Sequence, residues 1–312
     1  MGNERLTPAE FNKRHNMKVA TDVLIYTVRD QNQDNPRKVP EKQLQLLMIQ
    51  RRGNPFKGDW AIPGGIVENT ESVDAAAYRE LKEETNIDNV YIEQLYSWGD
   101  EKRDPRAKES PDNRAVSVSY MALVDSEKLD IKAGDDAADA RWFSVECSSM
   151  AYTLEDGKGN ILGKEYDYSL ALTHDDGVEP IGCSAIVKVK HIIEGTAIRT
   201  ERVVMKSDGI AFDHALIIQY SLERLRNKVE YTNIAFNLMP ELFTLGELQS
   251  VYEILLGKEL LTPNFRKKML EVDKLVIPTN HKKTEVGHRP SQLYRFNPEW
   301  FIRGLTRSNP PF

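Results

Sequence analysis

Cysteine is scarce in this chain: 312 residues contain two, Cys147 and Cys183. Two isolated cysteines exclude a disulfide framework and any zinc site built on cysteine pairs. They read as reduced thiols in the core or at the surface. No apolar run approaches the roughly 18 residues of a membrane span. The opening MGNERLTPAEF has neither the apolar core nor the cleavage pattern of a secretory signal. Leu6 stands where a myristoylation signal needs Ser or Thr. These absences lead to the expectation of a cytoplasmic protein with no membrane partner. No internal repeat or low-complexity tract stands out.

At this length two domains are the default, since one domain takes about 100–200 residues. Hydrophobic residues make up 40% and charged residues 29%, slightly apolar-poor and charge-rich for a globular protein but enough for a sizeable core. The formal charge of −6 hides an asymmetry. From Lys258 onward there are 11 Lys and Arg against 5 Asp and Glu, while the rest holds 31 against 43. A basic end on an acidic body points to different partners for the two parts, with a polyanion such as nucleic acid at the basic end.

Apolar runs at 19–28 and 43–52 read as buried strands, joined by a polar loop with two prolines. Residues 72–85 contain alanine and leucine without proline and read as a helix. Strands are expected at 90–98, 116–124 and 140–145. A helix among such strands implies a mixed sheet in a layered sandwich. Residues 151–208 add two to four further strands around the turn-forming DGKGN, with no function assigned. Residues 211–231 read as a long helix with Leu216, Tyr220, Leu222 and Leu225 on its apolar face. At its start, Asp213 and His214 read better as a helix-start carboxylate and a packed or capped histidine than as a chemical pair.

Thr244-Leu-Gly-Glu247 fits a capping box. Leu245, Leu248, Val251, Tyr252, Leu255 and Leu256 come next at helical spacing, and Gly257 supplies the stop. Thr262-Pro263 begins a second helix, with proline at its first position. Phe265, Met269 and Val272 are its expected apolar stripe, and Asn264, Lys267 and Lys268, flanked by Arg266, lie opposite. A strand-like SQLYRFNPEWF completes this region.

The densest chemical signal lies in GGIVENTESVDAAAYRELKEETNI, residues 64–87. One reading is a solvated acidic helix with an ordinary i,i+4 ion pair between Arg79 and Glu83. The other is a metal site. Glu80, Glu83 and Glu84 are spaced i, i+3 and i+4, so they share one helical face. Magnesium wants oxygen ligands and is commonly held by one or two carboxylates plus substrate phosphates. The spacing of Gly65, Glu71 and Arg79-Glu80-Leu81-Lys82-Glu83-Glu84 decides between them. Six such residue types coincide by chance about once in 10⁷–10⁸ starting points at ordinary usage.

That pattern resembles the Nudix box. It departs at Asn86, where the family has glycine; asparagine is the next-best residue for the left-handed helix end required there. FKGDWAIPGG, with Gly58, Trp60 and Pro63, resembles the strand that enters the box, and the resemblance covers roughly residues 19–145. It implies an α/β/α sandwich that cleaves nucleoside diphosphates linked to another moiety, with Mg²⁺ or Mn²⁺ as cofactor. It further implies Glu80, Glu83 and Glu84 as metal ligands and, with Arg79, as catalytic residues. Gly64, Gly65, Arg51 and Arg106 are expected at the substrate. The two glycines would let backbone approach the ligand, while Glu71 and Arg79 hold the loop and the carboxylates in place.

The C-terminal residues, FTLGELQSVYEILLGKELLTPNFRKKML and RPSQLYRF with GIAFDHALI and LERLRNKVEYT, resemble the NrtR-type Nudix-related regulators of NAD metabolism. So does the Asp104-Pro105-Arg106 triplet. The fold class expected is therefore α+β, with a Nudix sandwich over 1–232, carrying an extra β-rich insertion at about 151–208, and a winged helix-turn-helix over 233–312. The resemblance implies a homodimer that binds ADP-ribose or a related derivative and double-stranded operator DNA, controlling genes of NAD or sugar metabolism. Asn264, Arg266, Lys267 and Lys268 would read the major groove. Arg289 and Arg295, in the wing, and Lys282 and Lys283 would reach phosphates. Two readings stay open beside it: a plain ADP-ribose pyrophosphatase with an accessory domain, since the box glutamates are intact, and a C-terminal domain that only mediates protein association.

Overall fold

The structure is a computed structural model that describes residues 17–30, 42–87, 90–101, 103–108, 114–128, 137–175, 177, 180–272, 274–284 and 290–300. The chain divides into two compact units. One comprises Met1–Tyr26, Gln45–Ala122 and Asp130–Leu222; the other comprises Thr27–Leu44, Leu123–Leu129 and Glu223–Phe312.

Among the described residues ten strands form one sheet: β1 (Lys18–Asp30), β2 (Lys42–Arg51), β3 (Trp60–Ala61), β4 (Gly64–Ile66), β5 (Tyr91–Trp98), β6 (Ala115–Leu123), β7 (Ala137–Glu155), β8 (Ile161–His174), β9 (Ile181–Glu194) and β10 (Ala197–Asp208). Their order is β10-β9-β8-β7-β2-β1-β6-β5, with β3 on β2 and β4 on β1. Helix α1 (Val73–Thr85) comes after β4, and helix α2 (His214–Val229) after β10. The first-unit core holds Leu46, Leu47, Met48, Leu81, Met121 and Phe143, all essentially inaccessible. Among the described residues no helix is long and apolar enough to cross a membrane.

The strand expected at 140–145 lies within the first half of a 19-residue strand, β7. The added segment therefore does not begin at 151. It prolongs the main sheet through β8, β9 and β10, each antiparallel to its neighbour. In β9 burial alternates: Cys183, Ala185, Val187 and Val189 face inward while Ser184 and Ile186 are exposed, the pattern of a sheet wetted on one face. DGKGN makes the expected turn, with Asp156 accepting from the backbone of Lys158 and Asn160.

Tyr220 of α2 shows how this sheet is shaped. Its ring centroid lies 5.4 Å from Tyr96 and 5.5 Å from Trp98, both on β5. The Arg202 guanidinium of β10 lies 4.9 Å over the same ring. Since β5 and β10 end the strand order, the sheet curls around the first half of α2. Ala215, Ile217, Ile218 and Leu222 are buried there. Leu216 and Tyr220, expected on the apolar face, are only half-buried. The residue between them, Ile218, takes the central place because the curved sheet covers a wider arc of the helix than a single stripe.

The second unit contains α3 (Leu245–Leu256), α4 (Thr262–Lys267) and a two-stranded sheet of β11 (Val276–Lys283) and β12 (Ser291–Phe296). The capping box of α3 is complete: Glu247 N–H donates to Thr244 Oγ1 (3.2 Å), and Thr244 N–H donates to Glu247 Oε2 (2.7 Å). Gly257 ends the helix at φ 67°. Leu245, Leu248, Val251, Tyr252 and Leu255 are buried as the spacing requires, while Leu256 is half-buried. Phe236 joins the core by meeting Phe243, Tyr252 and Phe296.

Helix α4 departs from expectation in two ways. Its N-cap is Leu261, without a side-chain cap bond, so Thr262 is already helical. At Lys268–Val272 it widens into a π turn. Extra residues per turn rotate the side chains on its C-terminal side about the helix axis. Phe265 and Met269 stay buried, but Val272 is 67% exposed and Leu275 takes its place inside.

Candidate functional site

The box begins where β4 pairs with β1, with Gly64 opposite Asp22 and Gly65 opposite Thr21. Both glycines are needed there because no side chain fits at either position. A Cβ on Gly64 would collide with the backbone carbonyl of Thr21. A Cβ on Gly65 would collide with Glu80 Oε1.

Ser72 caps α1 by accepting from Ala75 N–H (3.1 Å), and Asn86 closes it at φ 56°. Asparagine therefore does at this end what glycine does in the family pattern. Along α1, Glu80 and Glu84 are buried, whereas Glu83 is half-exposed. Arg79 sits among the acids. It donates to Glu71 through Nε (3.2 Å) and Nη2 (2.8 Å), and to Glu80 Oε1 through Nη1 (2.6 Å). Glu83 Oε2 is 3.5 Å from Nη1. Glu71 also accepts from Glu68 N–H (3.0 Å), which ties the loop to the helix.

The charges respond to this packing. Glu71, bonded to Arg79, is held below the usual carboxylate range. Glu80 is pushed up, because burial penalises its charge more than Arg79 relieves it. A buried carboxyl with a raised pKa is one that a second cation would hold ionised. The donor set, carboxylate oxygens on one face, suits a hard divalent ion. Among the described residues, however, no three His, Cys, Asp or Glu side chains converge as a ready metal cage. Arg79 is the internal cation that draws Glu80 and Glu71 toward itself.

A second cluster adjoins the box through Asp22 and holds both expected substrate arginines. Arg51 lies 4.6 Å over the ring of Phe212, and Arg106 lies 5.4 Å from the same ring. Phe56 meets Phe212 at 4.8 Å. Asp104 grips Arg106, at 2.6 Å to Nη2 and 3.0 Å to Nε. Arg103 makes a two-pronged pair with Asp213, at 2.8 and 2.9 Å, and comes within 3.9 Å of Asp22. Asp22 Oδ2 in turn accepts from Ser117 Oγ. His214 Nδ1 accepts from Ile62 N–H (2.9 Å), and its Nε2 is 3.8 Å from Asp22 Oδ1.

His214 is therefore the packed histidine that the sequence suggests. Burial lowers its pKa against the pull of Asp22 and Asp213, with Arg103 and Arg51 lowering it further. Asp213 differs from expectation: its carboxylate serves Arg103 rather than helix N–H groups. Phe56, Phe212, Arg103 and Asp22 carry no signal of their own in the sequence. The FDH triplet is legible there, but the partner of its aspartate, Arg103, is 110 residues away.

On α4, Asn264, Arg266, Lys267 and Lys268 are all exposed, and the buried Phe265 and Met269 fix the opposite side against the core. Arg295 and Lys282 are exposed on the two-stranded sheet. Lys283, expected at a phosphate, instead holds Glu247 Oε1 at 2.6 Å and braces the capping box. Arg289 lies outside the described residues.

A box helix on a curled mixed sheet, and after it a helix pair with a two-stranded wing, define a Nudix domain joined to a winged-helix domain. The sequence matches the NUDIX domain family over residues 23–162 and the NrtR DNA-binding winged helix domain over 235–296. It is 34% identical over 260 residues to the ADPR responsive transcriptional repressor NtrR of Acinetobacter baylyi, covering 83% of this chain and 78% of that protein. Shewanella oneidensis NrtR, crystallised with a 27mer DNA, superposes with TM-score 0.58 at 28% identity, over 90% of this chain and 94% of that one. The ADP-ribose pyrophosphatase of Methanocaldococcus jannaschii is 38% identical over 105 residues, 34% of this chain and 57% of that protein. The chain belongs to the NrtR-type family of Nudix-related transcriptional regulators.

Proposed function

We propose that this protein is a cytoplasmic repressor whose Nudix domain binds ADP-ribose or a related nucleoside diphosphate derivative. Its winged-helix domain, paired in a homodimer, binds operator DNA upstream of genes of NAD or sugar metabolism. The observation that carries the reading is one chain holding both an unbroken box helix and an exposed basic face on α4. Asn264, Arg266, Lys267 and Lys268 face the major groove, while Arg295, Lys282 and Arg289 contact phosphates. The relatives named for ADP-ribose response and for DNA support both halves.

Ligand can release DNA only by binding the DNA-competent and DNA-incompetent states with different affinity. A tenfold change needs about 1.4 kcal/mol of coupling, and operator must weaken ligand binding by the same factor. The test is titration of ADP-ribose into the protein with and without a palindromic promoter fragment, using Glu83→Gln to suppress turnover. Equal ligand affinity in both titrations would refute the sensor.

A second reading, Mg²⁺- or Mn²⁺-dependent hydrolysis of ADP-ribose to AMP and ribose 5-phosphate, is favoured by the intact Arg79, Glu80, Glu83 and Glu84. Glu83 and Glu84 would hold the ion, with Glu80 as ligand or base. When bound, the metal would neutralise the diphosphate and lower the pKa of an attacking water. Arg79 and Glu71 would position Glu80, and burial would keep competing water from it. Failure of the wild type to release AMP with millimolar Mg²⁺ or Mn²⁺ would remove the hydrolase and leave the sensor.

A further inference from the structure

Strands β7 to β10 carry the sheet well past the box, and neither the ligand chemistry nor the DNA chemistry uses them. Their inward face turns toward α2, where Arg202 lies over the Tyr220 ring. The register defines the outward face, since side chains directly opposite one another share a face. Ser148, Ser169, Ile186 and Lys206 form one row across the four strands, and all four are exposed.

Small side chains make this part of the face a shallow trough. Ser148 and Ser169 stand in one row and Ala171 opposite Ser184 in the next, with Ile186 as an apolar wall. Two residues further along the strands the relief reverses. Met150, opposite Asp167, and Val203, opposite Lys188, stand in one row, and Tyr152, opposite Glu165, in the row beyond. Met150 is 65%, Val203 52% and Tyr152 44% exposed. A ridge of large apolar side chains thus lies beside the trough on one sheet face.

The charges among them cancel in place. Lys188 pairs with Glu165 and, at 3.4 Å, with Asp167, and Lys190 pairs with Glu165 at 2.8 Å. Glu165 is held below the usual carboxylate range by these two lysines. A face neutralised in this way does not repel a copy of itself. Its size also suits a dimer. Four strands about 4.8 Å apart, followed for about nine residues of about 3.4 Å each, give a flat area of about 600 Å². Side-chain relief raises the accessible area above that, into the range of about 600–1,000 Å² per partner found in specific interfaces.

We infer that the outward face of β7–β10 is where two copies of this chain meet, related by a two-fold axis that runs across the strands between the Ser148 and Met150 rows. Turned by 180° about that axis, the ridge of each copy enters the trough of the other. This is an isologous contact, in which one patch serves both partners. The inference rests on the homodimer of the proposed function and gives that dimer its surface.

The test is light scattering of the full chain over micromolar concentrations, without DNA or nucleotide. Wild type is expected at twice the mass of one chain. Ile186→Asp and Val203→Asp each place a new charge on the face and should weaken self-association by about tenfold or more. Far-UV circular dichroism should be unchanged, because both positions are exposed. Met150→Leu keeps the ridge and should leave association within about twofold. Should an Asp variant fail to fold, Ser148→Trp replaces it, filling the trough from an exposed position, and should weaken association likewise. A wild-type dimer that persists in these variants overturns the inference and leaves the homodimer to another surface. A monomeric wild type overturns the inference and the homodimer together.

Discussion

Replacing Gly64 and Gly65 separately by alanine should give two different defects from adjacent positions. At Gly64 the added methyl would meet the Thr21 carbonyl and lie 3.0 Å from Asp22 Cα and 3.1 Å from Asp22 Oδ1. Thr21 and Asp22 are on β1, in the middle of the sheet, and are themselves buried. Backbone must therefore move, and the register of Gly64 with Asp22 is lost. Overpacking of this kind costs about 1–3 kcal/mol, and a backbone obstacle puts Gly64→Ala at about 3. At Gly65 the methyl meets the far end of a side chain, Glu80, which can rotate away. Rotation breaks the 2.6 Å Glu80–Arg79 bond, but Arg79 keeps Glu71, and rotation relieves part of the burial that penalises the Glu80 charge. The cost there should be about 1 kcal/mol. The difference of about 2 kcal/mol corresponds to roughly thirtyfold in an unfolding equilibrium. The assay is urea unfolding of each variant, monitored by Trp fluorescence, beside Mg²⁺-dependent ligand binding. Gly65→Ala should fold and lose the metal dependence. Equal destabilisation of both, or a larger loss for Gly65→Ala, would refute this account of the glycine pair.

Glu83→Gln, at a half-exposed position on α1, should leave stability within about 0.5 kcal/mol while removing any Mg²⁺-stimulated AMP release; retained release would exclude Glu83 as a ligand. Thr244→Ala should cost about 1–2 kcal/mol, since one side of the complete capping box disappears, read as a lower thermal midpoint; no shift would mean that Lys283 and Glu247 suffice. Lys267→Glu with Lys268→Glu should abolish retention of a palindromic promoter fragment, and unchanged retention would refute the groove assignment of α4. His214 has a depressed pKa in the folded state, so the unfolded chain takes up its proton first. Stability is then unaffected above the unfolded value of about 6.5 and falls as pH drops below it, by up to about 1.4 kcal/mol per pH unit. Comparing wild type with His214→Asn between pH 7 and 5 checks this, and identical slopes would refute it.

The sequence alone determined those features that local chemistry writes at fixed spacing. Glu80, Glu83 and Glu84 share a face because a helix repeats every 3.6 residues. The Thr244–Glu247 box, the Gly257 stop and the left-handed Asn86 arise from backbone groups within one turn. The tertiary structure decided what depends on residues far apart. Burial separated three glutamates of one helical face into two buried and one exposed, and Arg79 claimed Glu80. The glycines before the box answer to Thr21 and Glu80, a strand and a helix that spacing cannot place. The π turn after α4 turned Val272 outward, because a change of helical period is invisible in a stripe of apolar letters. The insertion proved to be a continuation of the main sheet, since alternation shows a strand but not its neighbour. The Phe212 ring with Arg51, Arg106 and Asp213 with Arg103 was assembled only when three loops met. No local pattern encodes such a meeting, because its free energy arises from contacts between residues more than 100 positions apart.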